Sequence, residues 1–155
     1  MDPADGELYR KHADELTRFA TGLVGPAHAP DVVSEAVLRC MSSPGWAGVR
    51  ERRAYLFRSV FNQAAHHHRA ARRRRAREQR AAAPEVQWVE PPEVRPEVLS
   101  AVARLSLRQR AVIVLTYWDD LDPAAIAGLL DISDGAVRRH LARARARLKE
   151  VLDAD

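Results

Sequence analysis

The stretch LDPAAIAGLLDISDGAVRRHLARARARL, residues 121–148, decides how this chain folds. Its apolar residues recur at helical spacing in two short segments, which predicts two amphipathic helices joined by a tight turn. Asp122 supplies a capping side chain, and Pro123 has the fixed φ that suits the first position of a helix. A break in the apolar repeat then places Ser133 to cap the second helix. This arrangement is typical of a helix-turn-helix.

The second of these helices has an apolar back and a basic front. Its expected buried stripe consists of Val137, Leu141, Ala144 and Leu148. Between Arg138 and Lys149, both included, the sequence has six basic residues and no acidic one. A purely structural hairpin would show the same stripe, with late basic residues that complement the helix dipole. A solvated structural face normally mixes both charges, so the single sign favours an anionic partner, and the shape suits a DNA major groove.

The positive charge of the whole chain is concentrated in two segments. The 155 residues carry a net charge of +4 and are 46% hydrophobic, which is typical of one globular domain or two small ones. Residues 66–80 contain seven arginines against one glutamate, and residues 138–149 add six basic residues, so these two segments sum to +12 and the remainder to −8. Two separate basic patches favour nucleic acid as the partner.

Several functional classes are excluded by what the sequence lacks. Cys40 is the only cysteine, so neither a disulfide framework nor a cysteine zinc site is available, which fits a reducing cytoplasm. The adjacent His66, His67 and His68 would point about 100° apart on a helix and could not converge on one metal ion. No apolar run is long enough to span a membrane, and the acidic start does not resemble a signal peptide. We therefore expect no metal, no cofactor, no small-molecule substrate and no membrane insertion.

The first half of the chain predicts three helices. Residues 5–23 and a segment beginning at Asp31 have amphipathic periodicity, and Trp46 lies in the loop that follows, where it needs either a core pocket or a ligand. Residues 52–80 predict one long helix that is apolar at first and then abruptly basic. Its arginine run could be a solvated face, but because it continues a buried helix we favour a rigid surface for nucleic acid.

Residues 81–97 contain four prolines and have no helical period, which predicts a flexible linker. Beyond it, a short helix begins near Val98, and Ser106 with Gln109 forms a capping box for another helix, whose expected buried side includes Trp118. With the helix-turn-helix, this second half should hold four helices. The predicted fold is therefore all-α, with two small helical domains at residues 1–80 and 98–155.

This order of motifs resembles the extracytoplasmic-function (ECF) sigma factors of bacterial RNA polymerase, which keep sigma regions 2 and 4. LYRKHADELTRFATGLVG resembles the opening helix of region 2, and APDVVSEAVLRCM the helix that binds the polymerase clamp. RAYLFRSVFNQAAHHHRAARRR is similar to the stretch that faces the −10 promoter element, with Asn62 in the family's Asn position. The residues from Leu105 to Glu150 resemble region 4, whose recognition helix reads the −35 element. Ser34, Ala125 and Asp131 depart from the residues usual in the family, which has Gly at the turn that Asp131 occupies.

The resemblance implies a cytoplasmic, non-enzymatic factor that binds core RNA polymerase, directs it to promoter DNA and helps melt the −10 region. An anti-sigma factor, common in the family, is a further expected partner.

The expected −35 contacts are Ser133, Gly135, Ala136, Arg138, Arg139 and Arg143. The expected −10 contacts are Trp46, Asn62, Gln63, His66, Arg69 and Arg73. The expected core-binding residues are Asp31, Val32, Glu35, Leu38 and Arg39. Two alternatives stay open from the residues alone: a stand-alone helix-turn-helix regulator that dimerises through its first module, and a degenerate sigma-like adaptor whose basic residues are only solvated.

Overall fold

A computed structural model describes residues 2–79 and 96–154 of the chain. Every regular element in those two ranges is helical, which confirms the predicted all-α class. The elements are α1 (Pro3–Val24), α2 (Ala29–Ser42), a short 3-10 helix (Trp46–Gly48), α3 (Arg52–Glu78), α4 (Pro96–Ala103), α5 (Leu107–Tyr117), α6 (Pro123–Leu130) and α7 (Asp134–Asp153). Most of the predicted linker lies outside the described residues, but its last two positions already belong to α4. None of the described helices is long and apolar enough to cross a membrane.

The first three helices bury a shared apolar core. Helix α1 begins after Asp2, whose carboxylate accepts a hydrogen bond from the Ala4 amide, and it ends at Gly25, whose φ of 84° favours glycine. The rings of Phe19 on α1 and Phe57 on α3 lie 5.1 Å apart at the centre of this core. Beyond Ala64 the 27-residue helix α3 leaves the core, and its arginines are exposed. The abrupt change from apolar to basic sequence therefore marks the point where the helix emerges.

The last four helices form the predicted helix-turn-helix and its support. The capping box joins Ser106 and Gln109, Asp122 caps α6, and the Ser133 hydroxyl accepts a hydrogen bond from the Ala136 amide at 3.1 Å to cap α7. At the turn, Asp131 adopts the left-handed conformation with φ of 55°. Glycine adopts this conformation without strain and aspartate tolerates it, so the turn keeps its geometry with a residue unusual for the family.

The prediction that Trp118 is buried is wrong. Helix α5 ends at Tyr117, and Trp118 is 42% exposed at its C-terminal cap. Trp118 still has helical backbone angles and donates its backbone N–H to the Val114 carbonyl, so its exposure reflects its place at the end of the helix and not a change of helical period.

The two halves pack against each other through α1 and α3 on one side and α5 and α6 on the other. Gly22 of α1 lies close against α5, because a Cβ atom there would lie 2.2 Å from Cγ2 of Val114. The Arg110 guanidinium crosses the same interface, donating to the backbone oxygen of Leu23 at 2.9 Å and to those of Leu105 and Ala103 in its own half. It thereby satisfies a carbonyl at the C-terminal end of α1.

An ion pair marks one edge of this interface. Arg18 of α1 lies 3.1 Å from the Asp119 carboxylate, which follows α5. Burial raises the pKa of Asp119, and the hydrogen bond from Arg18 partly offsets this effect. At another point of the interface, the Arg108 guanidinium lies 4.6 Å from the centre of the Phe61 ring.

Candidate functional site

The exposed face of α7 carries the residues predicted to read DNA. At about 100° per residue, the predicted α7 positions fall within roughly 160° of arc, opposite the stripe of Val137, Leu141 and Ala144. These three residues are buried, as predicted, and Leu148, the fourth residue of the predicted stripe, is half-buried, whereas Arg138, Arg139 and Arg143 are exposed. At the start of the helix Ser133, Asp134 and Gly135 are exposed, with Ala136 half-buried behind them. Within the described ranges none of these three guanidinium groups forms an ion pair, and all three lie on one side of the helix.

A second exposed stripe runs along α3. Asn62, His66, Arg69 and Arg73 are all exposed and follow each other by three or four residues, which puts them on one side of the helix. The stripe spans about 16 Å at ~1.5 Å per residue. The structure therefore aligns four of the residues predicted for the −10 contact on one surface.

At the core end of this stripe, α2 and α3 enclose a cleft of about 440 Å³. Its lining consists of Arg39, Cys40, Ser43, Tyr55, Arg58, Ser59, Asn62 and Gln63. Two arginines and two amide side chains beside the Tyr55 ring form a polar site with one aromatic wall. Such a combination suits an unstacked nucleobase, which needs a flat surface for stacking and polar groups for its edge.

Gln63 occupies an unusual position in this cleft. Its side chain is 5% exposed, and its Nε2 group donates a hydrogen bond to the Glu35 carboxylate on α2. Its Oε1 atom is buried and has no hydrogen-bond partner among the described residues. The residue thus links the cleft to the outer face of α2.

Besides Gln63, two predicted site residues are buried, both in the apolar core. Trp46 is 5% exposed, and its indole donates to the Asp5 carboxylate at 2.9 Å while the Arg52 guanidinium lies 4.9 Å from its ring centre. Of the two interpretations of this residue, the structure shows the core pocket. In this arrangement the ring is covered, so it is not open to direct contact with DNA. Trp46 instead packs near Tyr55, with ring centres 6.0 Å apart, and supports a wall of the cleft from inside.

Val32 is the second buried residue, at 3% exposure. Its position on α2 lies about 40° around the helix from buried Ala36, at the edge of the face that packs on the core. The other residues predicted to bind core polymerase are exposed, and Leu38 is an apolar side chain with 54% of its surface open. The predicted docking face thus loses Val32 and keeps Asp31, Glu35, Leu38 and Arg39.

Five residues that line the cleft were not among the predicted site residues: Cys40 and Ser43 at the end of α2, and Tyr55, Arg58 and Ser59 on α3. Tyr55, Arg58 and Ser59 precede Asn62 by seven, four and three residues, so they extend the exposed α3 stripe toward its N-terminus. A polar residue at each helical repeat beside the apolar stripe was the signal that could have identified them. Arg39 is also placed differently from the prediction, since it lines the cleft as well as the outer face of α2.

The three consecutive histidines point in different directions, as their spacing predicted. His66 is exposed, His67 lies with its ring centre 4.5 Å from that of His28, and His68 contacts the Leu23 carbonyl at 2.7 Å. Burial lowers the pKa of His68; the Leu23 contact raises it and the nearby Arg110 lowers it further. A neutral imidazole is therefore favoured at the interface between the halves.

The helix-turn-helix lies beside the cleft in this structure. The Asp131 carboxylate at its turn is 3.5 Å from the Arg58 guanidinium. A small space of about 160 Å³ between them is lined by residues of both halves, including Asn62 and Leu130. The two candidate DNA surfaces are therefore adjacent.

Comparison with known proteins gives one consistent result. The family described as Sigma-70, region 4 matches residues 95–148. The RNA polymerase sigma-E factor of Streptomyces antibioticus is 32% identical over 152 residues, which cover 95% of this chain and 83% of that protein. The ECF RNA polymerase sigma factor SigL of Mycobacterium tuberculosis is 35% identical over 142 residues, covering 86% of this chain and 80% of that protein.

Solved structures agree with these relatives. The sigma factor RpoE of Bartonella quintana, in complex with the anti-sigma factor NepR, matches with a TM-score of 0.74 at 21% identity and covers 97% of both chains. CnrH, in complex with the cytosolic domain of CnrY, matches with a TM-score of 0.69 at 28% identity and covers 98% of this chain and 89% of that one. The similarity thus extends over both halves and includes their arrangement.

Proposed function

The chain belongs to the ECF sigma factors of RNA polymerase. From this membership we propose which surface of the protein binds each promoter element and which surface binds core polymerase. As a sigma factor it acts in transcription initiation, with core RNA polymerase and promoter DNA as its partners. We assign promoter recognition to two modules, residues 1–80 and 98–155, joined by a linker. The single observation that carries the proposal is the pair of exposed basic surfaces, on α3 and α7, within a chain of this family.

Helix α7 is the −35 reader. Arg138 and Arg139 lie near its N-terminal end, where a recognition helix meets base edges, and their planar guanidinium groups can form bidentate contacts with guanine. Arg143 lies one turn further along, and with the Ser133 hydroxyl it holds phosphates. Gly135 and Ala136 keep the first turn slim, so that the backbone can approach the groove.

The α3 stripe and its cleft are the −10 surface. His66, Arg69 and Arg73 follow the DNA backbone, while Asn62 and Gln63 meet an unstacked base of the non-template strand in the cleft. Trp46 contributes by supporting Tyr55 and not by touching the DNA. Binding an unstacked base stabilises the melted strand, which is how this surface promotes opening of the −10 region.

The outer face of α2 binds core polymerase. Asp31, Glu35 and Arg39 supply charges around the exposed apolar side chain of Leu38, a combination of an apolar centre with a charged rim that is typical of protein interfaces. Since the neighbouring cleft shares Arg39 with this face, core binding and −10 recognition occur on adjacent sides of α2.

The adjacent DNA surfaces imply that the modules separate on the promoter. The −10 and −35 elements are about 25 base pairs apart, or roughly 85 Å at ~3.4 Å per base pair. Asn62 and the turn before α7 line one small space, so the closed arrangement cannot reach both elements. The predicted linker can extend to at most about 60 Å at ~3.5 Å per residue, which gives the modules room to move apart. The closed arrangement is the form of the free protein.

Three further expectations belong to this proposal. The chain performs no catalysis of its own, because the polymerase supplies the chemistry, and it works in the cytoplasm where the polymerase is. An anti-sigma factor holds it inactive until a signal arrives. This last expectation is supported by the structural neighbour RpoE, which was solved in complex with the anti-sigma factor NepR.

The test is transcription in vitro with purified core polymerase and a library of genomic promoter fragments. The proposal predicts that transcription initiates at fragments that share sequence motifs near positions −35 and −10. Core polymerase alone should not initiate at these fragments. Changing Asp31 and Leu38 to Ala should reduce core binding in a pull-down, whereas the matched control Asp14→Ala, on an exposed part of α1, should not. A stable dimer that binds DNA and ignores core polymerase would instead support the stand-alone regulator. A chain that binds core without initiating would support the adaptor.

A further inference from the structure

Two arginines from different halves of the chain line the small space beside the helix-turn-helix. Arg58 belongs to α3 and Arg108 to α5, and the space of about 160 Å³ between the halves is also lined by the Asn62 amide and the Asp131 carboxylate. In the part of the chain that the structure describes, Arg58 has a single ion pair, with Asp131 at 3.5 Å, and Arg108 has none. The lining therefore carries more positive than negative charge, and its positive groups come from both halves.

Aromatic rings support both guanidinium groups at this position. The Arg108 guanidinium lies 4.6 Å from the centre of the Phe61 ring, and the Arg58 guanidinium lies 6.0 Å from the centre of the Tyr55 ring. A contact between a cation and a ring restricts the side chain without forming an N–H···O hydrogen bond, so the N–H donors stay available. Both groups are thus in place before an anion binds.

The Asp131 carboxylate is a weak partner for these arginines. Its side chain is 78% exposed, and its distance of 3.5 Å from Arg58 is long for a charge-assisted hydrogen bond. An ion pair that is so open to water contributes little to stability. An anion with more oxygen atoms can therefore replace Asp131 on Arg58 and bind Arg108 at the same time.

Further positive charge lies near Arg108 on the side of α7. Burial lowers the pKa of His140, and the nearby Arg108, Arg143 and Arg139 lower it further. The positive potential at Arg108 therefore extends to α7. Such a potential favours a ligand that carries more than one negative charge.

We propose that Arg58 and Arg108 form a binding site for the phosphate group of a small molecule, which bridges the two halves of the closed protein. Guanidinium groups match phosphate oxygens with pairs of parallel hydrogen bonds, and the Asn62 amide adds a further donor. Pockets for drug-sized ligands measure about 300–1,000 Å³, so this much smaller space fits one phosphate group rather than a nucleotide. Because the two arginines come from different halves, the site exists only in the closed arrangement, and binding stabilises that arrangement.

A ligand that binds only the closed form competes with promoter DNA. The proposed function requires the halves to separate on the promoter, so this consequence rests on the proposed function, whereas the binding of phosphate does not. At a phosphate concentration about ten times the dissociation constant, the apparent affinity for promoter DNA should fall about tenfold.

The binding test uses the free chain, without polymerase or DNA. Inorganic phosphate and glycerol phosphate are the two probes, and each is compared with sodium chloride at equal ionic strength by NMR of the arginine Nε–Hε groups. We expect saturable shifts at Arg58 and Arg108 with a dissociation constant of about 1 mM, which corresponds to two charge-assisted contacts of modest strength. Tighter binding of glycerol phosphate identifies the end group of a phosphomonoester as the ligand, and tighter binding of inorganic phosphate identifies the free anion.

Three variants separate this site from a general attraction of phosphate to a basic protein. Arg108→Gln removes one guanidinium group and should weaken phosphate binding about tenfold, the lower end of the range for hydrogen bonds to a charged group. Asp131→Asn removes the competing negative charge, keeps a residue that tolerates the left-handed backbone conformation, and should strengthen binding. Arg104→Gln is the matched control, because it removes an exposed charge from the same half that does not line the space, and it should leave binding unchanged.

Weaker binding in Arg108→Gln together with stronger binding in Asp131→Asn supports the proposal. The proposal is overturned if neither probe binds more tightly than about 10 mM, if sodium chloride gives the same shifts, or if Arg104→Gln weakens binding as much as Arg108→Gln. Weaker binding in Asp131→Asn also overturns it, because Asp131 would then hold the halves together rather than occupy the place of a ligand.

Promoter affinity, measured in phosphate and in sodium chloride at equal ionic strength, tests the consequence separately. A loss of affinity specific to phosphate supports competition between the ligand and the promoter. Equal affinities, in a protein that binds phosphate as expected, would leave the phosphate site standing and contradict the proposed separation of the halves on the promoter.

Discussion

Replacing Gly22 by Ala should open the closed arrangement of the two modules. The new Cβ would lie 2.2 Å from Cγ2 of Val114 and 3.1 Å from its Cγ1, where carbon atoms normally stay about 3.5–4.0 Å apart. Extra volume in a close-packed interface costs about 1–3 kcal/mol. The better helix propensity of alanine, about 1 kcal/mol, acts on α1 whether the modules are docked or apart, so it does not restore docking. The ratio of closed to open protein should therefore fall by about 5- to 150-fold.

Small-angle scattering of the free chain measures this change as an increase in the radius of gyration, and chemical denaturation follows the stability of each half. Gly6→Ala is the matched control, because Gly6 lies on the same helix and its Cβ would meet only the tip of Arg10 at 3.8 Å. It should stabilise α1 without changing the radius. Val114→Ala combined with Gly22→Ala should restore the closed form. The reasoning is refuted if Gly22→Ala behaves like Gly6→Ala, or if the double variant stays as open as the single one.

Three further predictions concern DNA, polymerase and pH. Arg139→Ala should weaken binding to a specific promoter by about 1–3 kcal/mol. If six phosphates are contacted, the affinity of the wild-type protein for DNA should fall roughly 10³-fold between 50 and 200 mM salt. Fluorescence anisotropy measures both effects, and an affinity that does not change with salt would contradict the assignment of this surface to DNA. Val32→Ala should lower the free energy of unfolding by about 1–3 kcal/mol, because Val32 is buried in the apolar core of the protein. Leu38→Ala should leave that free energy unchanged and weaken only the binding of core polymerase, as measured in a pull-down. The opposite pattern would exchange the roles of the buried and the exposed face of α2. Burial lowers the pKa of His68 in the folded state below its usual value near 6.5, so the folded state binds fewer protons than the unfolded state, and the free energy of unfolding should fall as the pH decreases through and below 6.5. Chemical denaturation at several pH values should show a smaller fall for His68→Gln than for the wild-type protein. An equal fall in both proteins would argue against the buried imidazole.

The elements that the sequence predicted best are those whose information is local. The caps at Asp122, Ser106 and Ser133 follow from side chains that reach backbone amides two or three residues away, and all three are present. The exposed arginines of α7 follow from the period of one helix. Trp118 was misplaced because the same period was extended one residue beyond the end of α5.

The errors at the site have a different cause. Val32 and Trp46 were assigned to binding surfaces from their places in motifs, but which way each side chain turns depends on helices distant in sequence. Trp46 is held by Asp5, 41 residues away, and no local pattern encodes that hydrogen bond. The cleft is likewise formed from two helices, so its lining could be only partly predicted from either one.

The sequence by itself determined the all-α class, the helix-turn-helix and the two basic surfaces, because periodicity, capping and charge act over a few residues. Only the tertiary structure decided that the two halves dock, through Gly22 against Val114 and Arg110 on the end of α1. It also decided that Gln63 faces Glu35 with its amide and leaves one oxygen unpaired beside the cleft. Such contacts depend on the relative positions of separate helices, which the packing of the whole core sets and no short stretch of sequence specifies.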